Sequence, residues 1–209
     1  MSLARMPTTS KRYDRAYFDR WYRDPRHSVV RDGVAGRRVQ LAVATAEFVL
    51  ERPIRNVLDV GCGEATWRAW LKRARPGVSY RGVDSSEYVL RRYGRRRGIQ
   101  RGTFGTLGRL DLAGPYDLIV CADVLHYLET SELRSGLAAL AKLLGGLAYV
   151  EIYTREDDTV GDGVGFQPRS AATYRRLFAA AGLVHVGPHC FVRAAVARTL
   201  TSFEQSGGA

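Results

Sequence analysis

Cysteine is scarce in this chain of 209 residues, and Cys62, Cys121 and Cys190 lie far apart in the sequence. The number is odd and no CxxC spacing occurs, so we expect neither a disulfide framework nor a zinc site. A chain of this length can bury roughly 70% of its unfolded surface, so it needs no crosslink for stability. The histidines also lack metal-ligand spacing, and we expect no bound metal.

Long apolar runs are missing as well. No stretch reaches the roughly 18 apolar residues that a membrane-spanning helix requires. The amino terminus has no apolar segment of the kind found in secretory signal peptides. These absences predict a cytoplasmic protein with no membrane partner.

Lysine is almost absent, since only Lys11, Lys72 and Lys142 occur among 32 basic residues and the other 29 are arginines (32 minus 3). The formal net charge is +11, and the densest basic run is RRYGRRRG at residues 91–98. Such a run indicates either the solvated end of a helix or a surface that binds polyanions. Charge therefore leaves a nucleic-acid partner open without favouring it.

The chain does contain a regular alternation of short apolar runs and helical stretches. This pattern predicts strands at 57–60, 78–83, 99–104, 116–122 and 147–153, and helices near 33–51, 65–74, 86–96, 131–144 and 170–181. Runs such as DLIVCADV are apolar on both faces, as in strands between two helix layers. Alternating βα units predict a mostly parallel sheet, and LVHVG followed by CFVRAAV predicts an antiparallel pair at its edge.

Three segments are expected along the chain. Residues 1–32 form an arm rich in arginine and aromatic residues that packs on the rest of the protein. Residues 33–200 form one α/β domain, and residues 201–209 form a frayed tail. No sequence feature predicts the oligomeric state.

The stretch NVLDVGCGEATWRAW (residues 56–70) has the pattern of a strand, a tight turn and a helix. Gly61, Cys62 and Gly63 form the turn, where open α/β sheets bind ligands and where glycine permits close approach. The third glycine of a dinucleotide fingerprint is missing, and Asp59 precedes the turn by two residues. An ionised carboxylate there repels a pyrophosphate and attracts an ammonium or sulfonium group. The sequence therefore predicts a ligand with a cationic head.

Further candidate positions follow the next three strands. Asp84 ends the second strand, where an acidic residue accepts hydrogen bonds from ribose hydroxyls. Thr106 follows the third strand, where the backbone and this side chain would meet an adenine edge. Cys121 and Ala122 end the fourth strand and are expected to face the same crevice.

The ordered strings VLDVGCGEA, GVD and YDLIVCADVLHYL resemble the motifs of class I S-adenosylmethionine-dependent methyltransferases over residues 55–153. The resemblance implies a Rossmann-like three-layer sandwich, a seven-stranded sheet with an antiparallel carboxyl-terminal edge hairpin, and a catalytic domain over residues 33–200. It also implies S-adenosyl-L-methionine as the cofactor.

The resemblance also implies roles for individual residues. Asp59 would hold the methionyl amino end, the glycine turn would pack on methionine and ribose, Asp84 would bind the ribose hydroxyls, and Ser85 would flank the adenine. Many members carry an aspartate near Thr106 that binds the adenine amino group. This sequence has none, so Thr106 and Leu107 would serve mainly through backbone groups.

His126 is the candidate general base. It follows Asp123 by three residues in the loop that enters the cleft, and its neutral form is available at pH 7. The same histidine equally fits a role in packing or orienting that loop. A hydroxyl acceptor would profit from a base, whereas a neutral amine would need little help.

The acceptor is expected to meet residues from three places. Glu151 and Tyr153 end the fifth strand, and Tyr13 lies in the arm. Tyr22 of the arm is expected near the cofactor, where an aromatic ring suits a sulfonium group. Residues 154–169 indicate either a substrate lid or an unstructured connection.

Three functions fit these features unequally. The leading hypothesis is in-line transfer of a methyl group to oxygen or nitrogen of a small molecule. The alternative is an RNA or protein methyltransferase that uses the basic surface, although the strand-four string CADV lacks the pattern of base N-methylation and no Pro-Cys dipeptide occurs. A non-catalytic scaffold is disfavoured, because it has no need for costly buried carboxylates at Asp59 and Asp84.

Overall fold

The computed structural model describes residues 11–27, 33–158, 162–201 and 204. Its centre is a seven-stranded sheet with the order β3-β2-β1-β4-β5-β7-β6. The strands are β1 (Asn56–Val60), β2 (Ser79–Asp84), β3 (Ile99–Arg101), β4 (Tyr116–Ala122), β5 (Leu144–Glu151), β6 (Leu183–Gly187) and β7 (Cys190–Arg193). Strands β1 to β5 pair in parallel, and β7 pairs antiparallel with β5 and β6. The predicted parallel sheet with an antiparallel edge hairpin is confirmed.

Seven α-helical segments surround the sheet in the described residues. They are α1 (Arg15–Phe18), α2 (Val34–Leu50), α3 (Thr66–Ala74), α4 (Glu87–Arg97), α5 (Thr130–Leu143), α6 (Ala171–Ala180) and α7 (Ala194–Ala197). A π-helical turn, Asp19–Arg23, continues α1, and 3₁₀ turns occur at Phe104–Arg109 and Leu125–Tyr127. Side-chain oxygens of Asp14, Ser86 and Ser170 cap α1, α4 and α6, because they accept hydrogen bonds from otherwise unpaired amides.

Strand β4 shows how the sheet is covered on both faces. Ile119 and Cys121 belong to an apolar core formed with helices α5 and α6. Leu118 and Val120 belong to a second core formed with α2 and α3 on the opposite face. Successive side chains of a strand alternate between faces, so the uninterrupted apolar run fills two cores at once. This arrangement confirms the three-layer sandwich.

Three predicted boundaries are corrected. Strand β3 ends at Arg101 instead of residue 104, because Phe104 begins a 3₁₀ turn and its ring is buried in the core. Strand β5 begins at Leu144, directly after α5, and ends at Glu151 instead of residue 153. Strand β7 ends at Arg193, and the following residues form α7.

The arm and the tail are described only in part. Residues 1–10 and 28–32 of the predicted arm, and residues 202–203 and 205–209 of the predicted tail, lie outside the described residues. Residues 11–27 pack through Phe18 into a cluster that includes Cys62, Val89 and Tyr93. The division into arm, domain and tail stays a prediction. No helix in the described part of the chain is long and apolar enough to cross a membrane.

Candidate functional site

A cavity of about 390 Å³ lies at the carboxyl ends of β1, β2 and β4. This volume falls in the range of small-ligand sites, roughly 300–1,000 Å³. The loop after β1 contributes Gly61, Cys62 and Gly63, and the end of β2 contributes Asp84 and Ser85. The cavity therefore occupies the crevice where open α/β sheets bind ligands.

Asp59 lies on β1 between Gly82 of β2 and Val120 of β4, and it lines the cavity although it is only 3% exposed. Its Oδ2 accepts a hydrogen bond from the Tyr80 hydroxyl at 2.7 Å. Burial, helped by the charge of Asp84, raises the pKa of Asp59 to about 7, although the Tyr80 hydrogen bond acts in the opposite direction. A cation in the cavity would favour the ionised form, so this carboxylate suits a positively charged ligand.

Asp84 ties together the two loops that border the cavity. Its Oδ2 accepts a hydrogen bond from the Gly63 amide, and its Oδ1 accepts one from the Ser86 amide, both at 2.8 Å. Burial raises the pKa of Asp84, while these backbone donors oppose the rise. The carboxylate lines the cavity and retains acceptor capacity for a ligand hydroxyl.

The structure explains why the turn has glycine at positions 61 and 63. Gly61 and Gly63 have φ values of +68° and +52°, in the left-handed region that favours glycine. A Cβ on Gly61 would lie 2.3 Å from Cγ2 of Val124, and a Cβ on Gly63 would lie 2.6 Å from the Tyr22 hydroxyl oxygen. Glycine at these positions therefore leaves room for Val124 and Tyr22, which both line the cavity.

Asp123 follows β4 and also lines the cavity. Its φ of +60° is uncommon for a residue other than glycine. The residue is exposed, yet burial by the surrounding protein and the charge of Glu151 raise the pKa of its carboxyl group to about 6, against the opposing effect of Arg38. Asp123 is therefore mostly ionised at pH 7 and accessible to a ligand.

Residues of the arm also form part of the cavity wall. Tyr13, Tyr17, Phe18 and Tyr22 all line it. The Phe18 ring is buried and stacks on Tyr88 of α4, with ring centroids 5.5 Å apart and planes inclined by 28°. The arm thus closes a largely aromatic wall over the glycine turn.

Thr106 and Leu107 do not line the cavity, contrary to the prediction. Thr106 Oγ1 accepts a hydrogen bond from the Thr103 amide at 2.9 Å, and Leu107 is buried in the core. Because β3 ends early, the 3₁₀ turn carries both residues away from the crevice. Gly102, Thr103 and Phe104 line the cavity in their place.

Cys121 is also placed elsewhere than expected. It is fully buried in the core beneath α5 and α6, and burial raises the pKa of its thiol. Neighbouring side chains of a strand point to opposite faces, so Cys121 and Ala122 cannot both face the crevice. Ala122 is the one that lines the cavity.

His126 does not line the cavity, and its side chain is only 2% exposed. Its ring packs against Tyr127, Tyr153 and Phe166, and its Nδ1 lies 3.4 Å from the Tyr153 amide nitrogen as an acceptor. Burial, helped by the Lys11 ammonium, lowers the pKa of His126 to about 4. These contacts favour the packing role over that of a base, since a base must reach the acceptor.

Glu151 and Tyr153 lie beside the cavity without lining it. The buried Glu151 carboxylate forms an ion pair with Arg38 and accepts a hydrogen bond from the Tyr149 hydroxyl at 3.4 Å. Burial raises the pKa of Glu151, although Arg38 opposes this. Arg38 itself lines the cavity. No local pattern marks Arg38 as a site residue, because its position depends on a long-range contact of α2 with Glu151.

Several other lining residues were missed as site residues. They are Val34 and Ala35 of α2, Thr66 and Trp67 of α3, and Val124, Tyr127, Leu128 and Glu132 after β4. Trp67 is largely buried while bordering the cavity. Among the described residues, no three His, Cys, Asp or Glu side chains are grouped as metal ligands would be.

The central part of the chain resembles known sequences. Residues 58–146 match a protein-family model described as a methyltransferase domain. An uncharacterized protein of Synechococcus sp. is 34% identical over 113 residues, which cover 50% of this chain and 26% of that protein. The chain therefore spans about a quarter of the length of this curated relative.

Solved structures share the fold. The sugar N-methyltransferase KedS8 from Streptoalloteichus sp. matches with a TM-score of 0.61 and 17% identity, over 78% of this chain and 89% of that one. The O-methyltransferase NcsB1 from neocarzinostatin biosynthesis, in complex with S-adenosyl-L-homocysteine and 1,4-dihydroxy-2-naphthoic acid, matches with a TM-score of 0.54 and 20% identity, over 78% and 56% of the two chains. At such identities the likeness shows the fold alone. Residues 58–146 are thus similar to a methyltransferase domain, and the chain shares its fold with these two methyltransferases.

Proposed function

We propose that this protein transfers a methyl group from S-adenosylmethionine to an oxygen or nitrogen of a small-molecule acceptor by in-line displacement. The observation that carries the proposal is that Asp59 and Asp84, on neighbouring strands, line one cavity beside the glycine turn. Asp59 suits the cationic methionyl end, and Asp84 suits the ribose hydroxyls. The cofactor would supply an activated methyl group on a sulfonium.

The residues that fit the cofactor are those that the structure brings to the cavity. From the predicted set these are Asp59, Gly61, Cys62, Gly63, Asp84, Ser85, Ala122 and Tyr22. Thr103 and Phe104 occupy the place expected for Thr106 and Leu107, and we assign the adenine end of the cofactor to them. The buried carboxylate of Asp59 supports the fit, because a cationic ligand offsets the cost of ionising it.

Asp123 is the group best placed to serve the acceptor. It lines the same cavity, and its pKa of about 6 leaves it mostly ionised at pH 7. It would hold an acceptor amine or accept the proton of an acceptor hydroxyl as the new bond to the methyl carbon forms. Such a base contributes roughly 10²–10⁴-fold to rate.

The arm supports a small acceptor. Tyr13 and Tyr17 line the cavity together with Tyr127 and the carboxylates. Excluding water and fixing the acceptor are the main tasks when the donor is already activated. An enclosed aromatic wall performs both for a small molecule.

Calorimetry with S-adenosylmethionine and S-adenosylhomocysteine tests the proposal. We expect binding by the wild type and at least about tenfold weaker binding by Asp59→Asn, which loses the charge but keeps the shape. Asp111→Asn is a matched control, because Asp111 is exposed and does not line the cavity. A wild-type protein that binds neither compound would contradict the proposal.

Methylation of RNA or protein is the second candidate, and the net charge of +11 is compatible with it. Three arginines of the basic run have partners within the chain, since Arg91 Nε lies 4.0 Å from the Glu87 carboxylate. The Arg97 guanidinium lies 3.9 Å from the Tyr93 ring centroid, and Arg92 Nε donates to the Tyr93 hydroxyl at 3.0 Å. RNA binding that weakens steeply with salt would support this candidate, and no binding at low salt would exclude RNA. Unchanged masses of candidate proteins incubated with enzyme and cofactor would exclude a protein acceptor.

A further inference from the structure

Glu64 directly follows the glycine turn, yet it does not line the cavity. Its Oε1 accepts a hydrogen bond from Arg23 Nη2 at 2.6 Å, so the two side chains form an ion pair between the turn and the arm. The Glu64 side chain is 12% exposed and the Arg23 side chain 41% exposed. The carboxylate is therefore shielded, and the arginine reaches it from the surface.

The backbone of Glu64 is fixed from a second direction. Arg97 Nη1 donates a hydrogen bond to the Glu64 carbonyl oxygen, and the Arg97 guanidinium packs over the Tyr93 ring. Both Arg97 and Tyr93 belong to α4, which is anchored in the domain. Glu64 is thus a fixed point to which the arm attaches.

The segment that Arg23 secures carries the aromatic cover. Tyr22 precedes Arg23, and its hydroxyl lies against Gly63, where a Cβ would be 2.6 Å away. Cε1 of Phe18 would lie 3.4 Å from that same Cβ position. Both rings line the cavity, so movement of Arg23 away from Glu64 would carry the cover with it.

We propose that the ion pair between Arg23 and Glu64 is a latch that holds the arm closed over the donor pocket and sets how long the donor or its product remains bound. This inference rests on the proposed function. Both residues act by positioning the arm, since neither lines the pocket. Because the ion pair exists only in the closed arrangement, its loss accelerates dissociation more than it slows association.

The test is the dissociation rate of S-adenosylhomocysteine, measured by rapid mixing with an excess of competing S-adenosylmethionine. We expect Glu64→Gln to release the product roughly three- to tenfold faster than the wild type, as for a hydrogen-bonded ion pair that is partly exposed. Arg23→Gln, which breaks the pair from its exposed side, should give a similar increase.

Asp19→Asn is the matched control. Asp19 Oδ1 accepts a hydrogen bond from Nη1 of the same Arg23 at 3.0 Å, but Asp19 lies within the arm. The substitution removes one negative charge, one contact of Arg23 and the ion pair with Arg15, all within the arm, without cutting the link to the glycine turn. We expect its dissociation rate to equal that of the wild type.

Limited trypsin digestion without any ligand gives a second readout. The arm contains several arginines, and an opened arm should be cleaved faster in Glu64→Gln than in the wild type or Asp19→Asn. Equal dissociation and cleavage rates in Glu64→Gln and the wild type would overturn the latch and leave the proposed function intact. Failure of the wild type to bind S-adenosylhomocysteine would overturn both.

Discussion

The Tyr22 hydroxyl oxygen lies 2.6 Å from the point where Gly63 would carry a Cβ. Two features therefore disfavour any residue other than glycine at position 63. One is the clash with Tyr22 of the arm, and the other is the left-handed backbone with a φ of +52°. The glycine turn has to fit the chain's own cover as well as a ligand. This contact couples the arm to the motif at the end of β1.

Gly63→Ala should weaken binding of S-adenosylhomocysteine by at least about tenfold. The left-handed conformation costs alanine about 1–2 kcal/mol, and the new methyl group displaces the Tyr22 hydroxyl. Calorimetry and thermal unfolding measure both effects. Adding Tyr22→Phe removes the displaced oxygen and should restore part of the lost affinity, with the backbone cost remaining. If the double variant is no better than Gly63→Ala, the contact with Tyr22 is not the cause.

Asp59 should make both stability and binding depend on pH. Its pKa is about 7 in the folded protein, against about 3.9 in an unfolded chain, so the native state binds the proton more tightly between these values. The free energy of unfolding should therefore fall as pH rises from about 4 to 7 and then level off. Binding of a cationic ligand, which favours the carboxylate, should tighten over the upper part of this range.

Thermal unfolding from pH 5 to 8, and calorimetry at pH 6 and 8, measure these two trends. Asp59→Asn should remove the contribution of this group from both. Tyr80→Phe should move the binding transition to higher pH, because it deletes the hydrogen bond that lowers the pKa of Asp59. A binding profile that is identical in Asp59→Asn and the wild type would refute the assignment.

His126 and Asp123 should respond to substitution in opposite ways. His126→Ala leaves a hole among Tyr127, Tyr153 and Phe166, and should lower the free energy of unfolding by about 2 kcal/mol while sparing turnover at saturating acceptor. Asp123→Asn should keep the fold, since asparagine tolerates the left-handed conformation, and should reduce turnover at least about tenfold.

Turnover is measured with an acceptor identified by the mass of its methylated product, and stability by chemical denaturation. The reverse result, with His126→Ala stable but inactive, would return the base role to His126.

Asp117 should matter for stability and not for binding. Its two oxygens accept hydrogen bonds from Arg52 at 2.7 and 2.9 Å, and Oδ2 also accepts one from the Arg55 amide at 2.7 Å. Although burial acts to raise it, the pKa of Asp117 is lowered by these donors. Asp117→Asn should cost about 2 kcal/mol at pH 7 and less as pH falls through the lowered pKa.

Urea denaturation at pH 7 and pH 3 measures the effect of Asp117→Asn. Binding of S-adenosylhomocysteine should not change, because Asp117 lies near the amino end of β4, away from the cavity. A loss of affinity equal to that of Asp59→Asn would contradict this separation.

The positions of the Asp59 and Asp84 carboxylates could be predicted from the sequence, because both residues lie near the carboxyl ends of strands. Asp59 and Asp84 end hydrophobic runs that can only be buried strands, and the carboxyl ends of parallel strands share one edge of the sheet. Thr106 and Leu107 do not line the cavity, because β3 has only three residues and the end of so short a strand does not show in an apolar pattern. The prediction that Cys121 faces the crevice was avoidable. Side chains alternate between the two faces along β4, so Cys121 and Ala122 could not both face it.

Other features left no local pattern. Arg38 reaches the cavity because α2 packs near β5, where Glu151 binds it. The orientation of His126 depends on Phe166, far along the chain. The local sequence around a loop residue does not determine the orientation of its side chain, because contacts with residues distant in the sequence determine that orientation.

The hydrogen bonds that Asp84 accepts from two backbone amides have a consequence for ligand binding. The Gly63 and Ser86 amides both donate to this one carboxylate, so hydrogen bonds within the protein hold the two loops at the rim of the crevice together. The entropy of ordering those loops is lost during folding, so capture of a nucleoside there needs little further ordering of the rim. Weaker ligand binding by an Asp84 variant would consequently reflect the loss of these two loop contacts as much as the loss of a contact with the ligand.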